Sequence, residues 1–288
     1  MAIDNDITIE ELQRVFHMKH ANPDAAGWSP RMRKCFHYFT PDEHYEAMVA
    51  RVVKENCLWL DVGCGHNIFP SNPSLAHQLA SICQRAVGVD PDETIENNSF
   101  VHERYRQSIE DFSYARKFDV VTLRMVVEHF AFPEKVLATL SQLTKPGGKV
   151  VLYTVNKWAL VPLLTKLLPF KFHHPLKKIF WNTEKEDTFP VFYRLNTRKT
   201  LHQAFTTYGF REEYFAYVDD CQTLARFRVT QFLELSSRAV LQWLKISYPE
   251  NCLLGVYVKE GHVKEQEENN PNRASEDFRN NIINVGST

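Results

Sequence analysis

The residues with the most chemical content lie in one short segment, Asp61-Val62-Gly63-Cys64-Gly65-His66-Asn67. Glycine lets a backbone turn tightly and approach a bound molecule closely, so Gly63 and Gly65 mark a ligand-facing loop. Asp61 precedes them, and a carboxylate there would repel a pyrophosphate but attract an ammonium group. The third glycine of a Gly-x-Gly-x-x-Gly dinucleotide loop is replaced by Ile68. A second acid, Asp90, follows Gly65 by 25 residues and ends an apolar run. A carboxylate at that place can accept hydrogen bonds from both hydroxyls of a ribose. The pattern describes a site for a nucleoside that carries an amino-acid ammonium. It does not suit a dinucleotide.

A group for acid–base work stands further along the chain. His129 follows the run Phe118–Leu123, and an imidazole titrates near neutrality, so it is the candidate catalytic base. Packing or loop positioning is the competing reading. Arg124, Asn156, Tyr193 and Arg194 are further pocket candidates from strand ends and from the segment after an insertion. Arg124 could hold an acidic group of a ligand or form a structural salt bridge. Tyr38 and Tyr45 flank the first capped helix and could close over a cofactor, with core packing as the alternative. His66 reads as a neighbour of the loop and not as a catalytic group.

These residues need a scaffold, and 288 residues that are 44% apolar and 24% charged can build one. A chain of this size buries roughly 75% of its unfolded surface. Lys and Arg number 34 against 35 Asp and Glu, for a net charge of -1, so a global basic footprint for nucleic acid is absent. No apolar run reaches the roughly 18 residues that span a bilayer, and the start lacks the regions of a signal peptide. The six cysteines form no Cys-x-x-Cys pair, which predicts free thiols in a reducing cytoplasm.

Apolar runs at 57–62, 86–90, 118–123, 149–155, 212–218 and 253–258 predict strands, with a short one at 100–103. Helical patterns alternate with them. Thr40-Pro41-Asp42-Glu43 is a capping box, Leu75, Leu79 and Ile82 share one face, and Val136, Leu137, Leu140 and Leu143 share another. The pair Pro146-Gly147 with Gly148 is expected to break the chain before the fifth strand. Strands alternating with helices predict an α/β fold with a mainly parallel sheet and helices on both faces.

With its ordered landmarks the sequence resembles the class I S-adenosylmethionine-dependent methyltransferases. The landmarks are the glycine loop, Asp90, Ser108-Ile109-Glu110-Asp111, Val127-Glu128-His129 and Pro146-Gly147-Gly148. The resemblance covers residues 40 to 156 and the last strands. It implies a Rossmann-like seven-stranded sheet whose last strand is antiparallel, with S-adenosylmethionine as cofactor. By it Asp61, Gly63 and Gly65 line the methionine and ribose end, Asp90 takes the ribose, and Ser108 and Ile109 meet the adenine. Arg124 joins this cofactor set. Quinone-pathway O-methyltransferases share the Glu-His pair and can carry a further glutamate three residues earlier. Here that position is Met125, a poor ligand for a hard cation, so no metal is expected.

The expected organisation is a helical N-terminal segment over 1–39 and a methyltransferase domain over 40–258. That domain carries insertions at 158–190 and 219–250, and a polar tail, expected to be disordered, follows over 259–288. The first insertion joins apolar residues to Lys166, Lys171, Lys177 and Lys178, which suggests a helical lid. Its 158–181 stretch could also contact a membrane surface. The expected reaction is methyl transfer, preferably to oxygen, on a small and partly hydrophobic acceptor in a biosynthetic pathway. A protein or RNA methyltransferase and a non-catalytic cofactor-binding scaffold are the alternatives. The oligomeric state has no signature in the chain.

Overall fold

A computed structural model of the chain describes residues 6–21, 27–159, 189–222 and 225–261. β1 (Leu58–Val62) is buried along its whole length, as expected for a strand covered on both faces. β2 (Arg85–Val89) and β4 (Phe118–Arg124) flank it, with β3 (Glu103–Tyr105) beyond β2 and β5 (Thr144–Val155) beyond β4. β6 (Phe210–Val218) and β7 (Cys252–Lys259) complete a seven-stranded sheet of order β3-β2-β1-β4-β5-β7-β6. β1 to β5 pair in parallel, and β7 runs antiparallel between β5 and β6. The chain steps outward from β1 to β3, then returns to β1's other side as β4. That reversal opens a crevice at the carboxyl ends of β1 and β4, the usual ligand position in such sheets.

The helices are α1 (Ile9–His20), α2 (Trp28–Cys35), α3 (Pro41–Val52), α4 (Pro73–Ile82), α5 (Pro133–Leu143), α6 (Arg198–Thr207) and α7 (Arg228–Trp243). Successive strand residues point to opposite faces. Trp59, Val120, Val151 and Leu254 pack with Tyr45, Met48 and Phe69 under α3 and α4. Leu58, Leu60, Val121 and Leu152 pack on the other face with Leu137, Leu140, Leu201 and Phe205 of α5 and α6. Asp61 therefore shares the Trp59 face. The capping box that starts α3 is formed in full, with Glu43 N–H donating to Thr40 and Thr40 N–H donating to Glu43.

Two expected boundaries move. β3 forms at 103–105 because Val101 turns inward beneath Gly88, so the ladder with β2 begins only at Glu103. β5 begins at Thr144, before Pro146-Gly147-Gly148. Thr144 pairs with Phe118 and Lys149 with Val120, so the intervening residues loop out of register around Gly147 at φ +78°. The second insertion contains α7. The expected lid over 158–190 falls almost wholly outside the described residues, as does the tail beyond 261.

The N-terminal helices are joined to the domain by buried charge. Glu43 at the start of α3 accepts two hydrogen bonds from Arg33 Nη1, at 2.8 and 3.0 Å, and lies 3.5 Å from His20. Burial alone would raise its pKa. The bond to His20 and the Arg33 guanidinium outweigh that and pull it from 4.5 down to about 2. Because the folded value is depressed, this stabilisation is present above pH 4.5 and is lost as pH falls toward 2. Glu43→Ala also strands Arg33 in the interior, so urea unfolding at pH 7 should show a loss of about 3–5 kcal/mol. The acid limb of its stability curve should flatten. A loss under about 1 kcal/mol would contradict this account of the junction.

Candidate active site

The glycine loop turns out of β1 directly into the crevice. Gly63 has φ +71° and Gly65 φ +44°, a region that favours glycine. A Cβ on Gly63 would stand 2.2 Å from Val126 Cγ2, so the loop and the chain after β4 fit only without a side chain there. A Cβ on Gly65 would meet Thr94 Oγ1 at 3.7 Å, an ordinary contact, so there the backbone angle and not space favours glycine. Asn98, fully buried, donates to the carbonyls of Gly65 at 3.0 Å and Cys64 at 3.3 Å and so holds the loop from behind.

Asp90 closes the loop from β2. One carboxylate oxygen accepts the Gly65 N–H at 2.9 Å and the other accepts the Asp92 N–H at 2.8 Å. Each oxygen keeps a further lone-pair direction, which is the requirement for receiving two ribose hydroxyls. Burial raises the Asp90 pKa, and added donors would offset that cost.

Asp61 is 3% exposed and faces Thr122 across the β1–β4 register. Trp59 Nε1 donates to Thr122 Oγ1 at 2.8 Å, and that hydroxyl donates to Asp61 at 2.5 Å. Burial pushes the Asp61 carboxyl up to about 7, against the Thr122 bond and the field of Arg124. The Arg124 guanidinium is itself bonded to Asp42 of α3 through Nη2 at 2.8 Å and Nε at 3.0 Å. Asp61 thus forms no ion pair among the described residues. The buried Tyr45 hydroxyl lies in the same field and makes no hydrogen bond of good geometry. A buried acid with no bonded cation, beside an open glycine loop and a ribose-type carboxylate, fits S-adenosylmethionine, whose ammonium would meet Asp61.

Further candidate residues stand at the end of β4. Met125 takes φ +52°, an uncommon conformation for a bulky residue, and directs Val126 over Gly63. A single helical turn follows, Val127–His129. Glu128 is buried and accepts from Thr154 Oγ1 at 2.7 Å, which in turn accepts from Asn196 Nδ2 at 2.8 Å. Its carbonyl receives the N–H groups of Phe192 at 2.8 Å and Tyr193 at 3.2 Å. Glu128 therefore anchors the segment after the insertion to the sheet. His129 Nδ1 lies 3.0 Å from the Pro190 carbonyl, which requires the proton on Nδ1 and leaves Nε2 with the lone pair.

Other expected residues are placed differently. Arg124 is held by Asp42, which favours the salt-bridge reading over a free ligand contact. The Tyr38 hydroxyl donates to the Asp219 carbonyl at 2.9 Å and accepts the Cys221 N–H at 2.7 Å. Asn156 ties β5 to the chain before β7 through the Glu250 carbonyl at 2.9 Å. Arg194 is exposed, with its guanidinium over Phe192. Tyr193, at φ +52°, stays beside Glu128. Ser108 donates to Asp111 at 3.0 Å while Ile109 is buried, an arrangement that leaves the serine oxygen able to accept from an amine. Thr122, Asp42 and Asn98 also belong to the site, and the sequence gives none of them a role there. Each works through a partner 33 or more positions away, and nothing local in the sequence marks it.

Fold and site together define a nucleoside-cofactor transferase of the Rossmann-like class. Residues 36–213 match the methyltransferase domain family, and the chain belongs to that family. Its class is the S-adenosylmethionine-dependent methyltransferases. Curated relatives include the ubiquinone biosynthesis O-methyltransferases of Salmonella newport and Salmonella typhimurium, each 31% identical over 104 residues. That match spans 34% of this chain and 42% of the relatives' length. Among solved structures, a chain of the Haloferax volcanii complex between the Trm112 methyltransferase activator and a methyltransferase shares the fold. It has 15% identity and TM-score 0.50, covering 85% of this chain and 99% of that one. The Bradyrhizobium japonicum N-methyltransferase NodS, bound to S-adenosyl-L-homocysteine, aligns at TM-score 0.46 and 13% identity, covering 89% and 100%.

The raised Asp61 pKa generates a pH dependence for cofactor affinity. An ammonium favours the ionised carboxylate, so calorimetric affinity for S-adenosylhomocysteine should tighten up to about tenfold from pH 6 to 7.5. Asp61→Asn should bind more weakly and lose that slope. A slope that survives the substitution would assign the titration to another group.

Proposed function

We propose that the protein methylates an oxygen of a small, partly apolar acceptor, with His129 as the general base. The observation that carries the base assignment is the His129–Pro190 hydrogen bond, which in the neutral ring puts the proton on Nδ1 and the lone pair on Nε2, one turn beyond β4. Likeness to ubiquinone biosynthesis O-methyltransferases over 104 residues supports oxygen and a biosynthetic setting. S-adenosylmethionine, when bound, supplies a methyl group on a sulfonium, a displacement in which alignment provides much of the acceleration. Asp61 orients the amino-acid end and Asp90 the ribose. Ser108 and Ile109 border the adenine. His129 Nε2 would hold the acceptor hydroxyl and take its proton, and the Pro190 carbonyl would stabilise the resulting imidazolium through Nδ1–H.

Free thiols at all six cysteines support a cytoplasmic setting. Among the described residues no helix is long and apolar enough to cross a membrane.

The test uses methyl-labelled S-adenosylmethionine with a lysate of the source organism, fractionated into organic-soluble, small polar, protein and nucleic-acid pools. Label should enter the organic-soluble pool and vanish with Asp90→Ala. His129→Gln should slow transfer by about 10²–10⁴-fold while leaving S-adenosylhomocysteine affinity within about twofold. Label in protein or RNA would overturn the small-molecule reading. Full activity in His129→Gln would remove the base.

A further inference from the structure

Helix α7 turns its apolar stripe outward. Val229, Phe232, Leu233, Val240, Trp243 and Leu244 fall within an arc of about 120° at 3.6 residues per turn. Each is at least 50% exposed, and Trp243 reaches 80%. The opposite face is the one that packs, through buried Gln231 and Leu235. A stripe of this size on a domain surface marks an interaction site.

The surroundings of the stripe are cationic. Phe36, just past α2, meets Phe232 with ring centroids 5.7 Å apart, so α2 borders the stripe. α2 carries exposed Arg31 and Lys34 and has no acidic residue. Arg226, Arg228 and Lys245 flank the two ends of α7, and Glu234 is the single acid in 225–246. Arg228 stacks over Trp28 and Arg226 over Phe227, each at 5.7 Å. Aromatic rings with cations over them suit the boundary between lipid headgroups and acyl chains. Trp158 and Tyr217 continue the aromatic surface beyond the helix, along a groove of about 650 Å³ that they share with Lys245, Ile246 and Tyr248.

Charge selects among possible occupants. A second copy related by a two-fold axis would set Arg226 and Arg228 of one helix against Lys245 of the other. The chain's own residues 160–188 hold five lysines against three acids and are also net positive, whereas residues 262–288 hold five acids against three cations and are the rival occupant that a failure of flotation would leave. An anionic surface complements the patch. We propose that α7 docks on a membrane containing anionic lipid, with its apolar stripe at the headgroup–acyl boundary and the cations of α2 and α7 on the headgroups.

Vesicle flotation of the full chain tests this. Vesicles of phosphatidylcholine with 30% phosphatidylglycerol should carry the protein, and pure phosphatidylcholine vesicles should not. Binding should fall at least tenfold in 0.5 M salt and in the double substitution Phe232→Glu, Trp243→Glu. Circular dichroism and the melting temperature check that this variant folds, and Arg226→Glu with Lys245→Glu gives an independent pair. Three results would overturn the proposal. They are no flotation with anionic vesicles, equal flotation with neutral ones, or a solution dimer that Trp243→Glu dissociates without any vesicle binding. The comparison of vesicle compositions with the unaltered chain decides the matter even if a variant misfolds.

Discussion

The arrangement depends on one buried carboxylate. Asp61 sits at the carboxyl end of a central parallel strand, on the same face as Trp59, and its hydrogen bond comes from Thr122 of the neighbouring strand. Burying such a group is costly, and burial pushes its carboxyl up to about 7. The register that pairs Asp61 with Thr122 also sets Val62 against Leu123, so both strands end at one level. Gly63 can then turn beneath Val126, and Met125 accepts a left-handed backbone to place it. Strain and buried charge are concentrated where a cationic ligand would relieve the charge.

The two halves of the crevice are held by different means. On the cofactor side, loop backbone is clamped by side chains: Asn98 on the carbonyls of Cys64 and Gly65, Asp90 on the Gly65 N–H. Beyond the end of β4, backbone segments distant in sequence are drawn together by Glu128, Thr154 and Asn196. Glu128 and His129 are adjacent but do separate work. The glutamate positions the 190–196 segment, and that segment's Pro190 carbonyl fixes the histidine tautomer. The Arg124–Asp42 pair joins the same crevice to α3, whose N-terminus is in turn tied to α2 through Arg33 and Glu43.

Much of this was legible in the chain. The apolar run that opens β1, the capping box of α3 and the two loop glycines are local patterns with local causes, and the structure forms each of them. β3 was misplaced because an edge strand of three residues carries little periodicity, and because Val101 is buried outside the ladder. The Pro146-Gly147-Gly148 break became an irregular strand start because β4 supplies a pairing edge that propensity does not register. Tyr38 and Asn156 looked like pocket residues from their places at element ends. The Tyr38 hydroxyl is taken up by Asp219 and Cys221, while Asn156 lines a surface groove and its amide bonds the Glu250 carbonyl, contacts that span 94 to 183 positions and that no sequence window contains.

The geometry predicts that the crevice between β1 and β4 binds a nucleoside carrying an amino-acid group, through Asp61 and Asp90. A thermal-shift comparison of S-adenosylhomocysteine with NAD on the purified chain tests it most directly. At a ligand concentration of about 100 times Kd, binding to the native state adds about 2.7 kcal/mol, enough to raise the melting temperature by several degrees. The account predicts that rise with S-adenosylhomocysteine and none with NAD. A rise with NAD alone would contradict it.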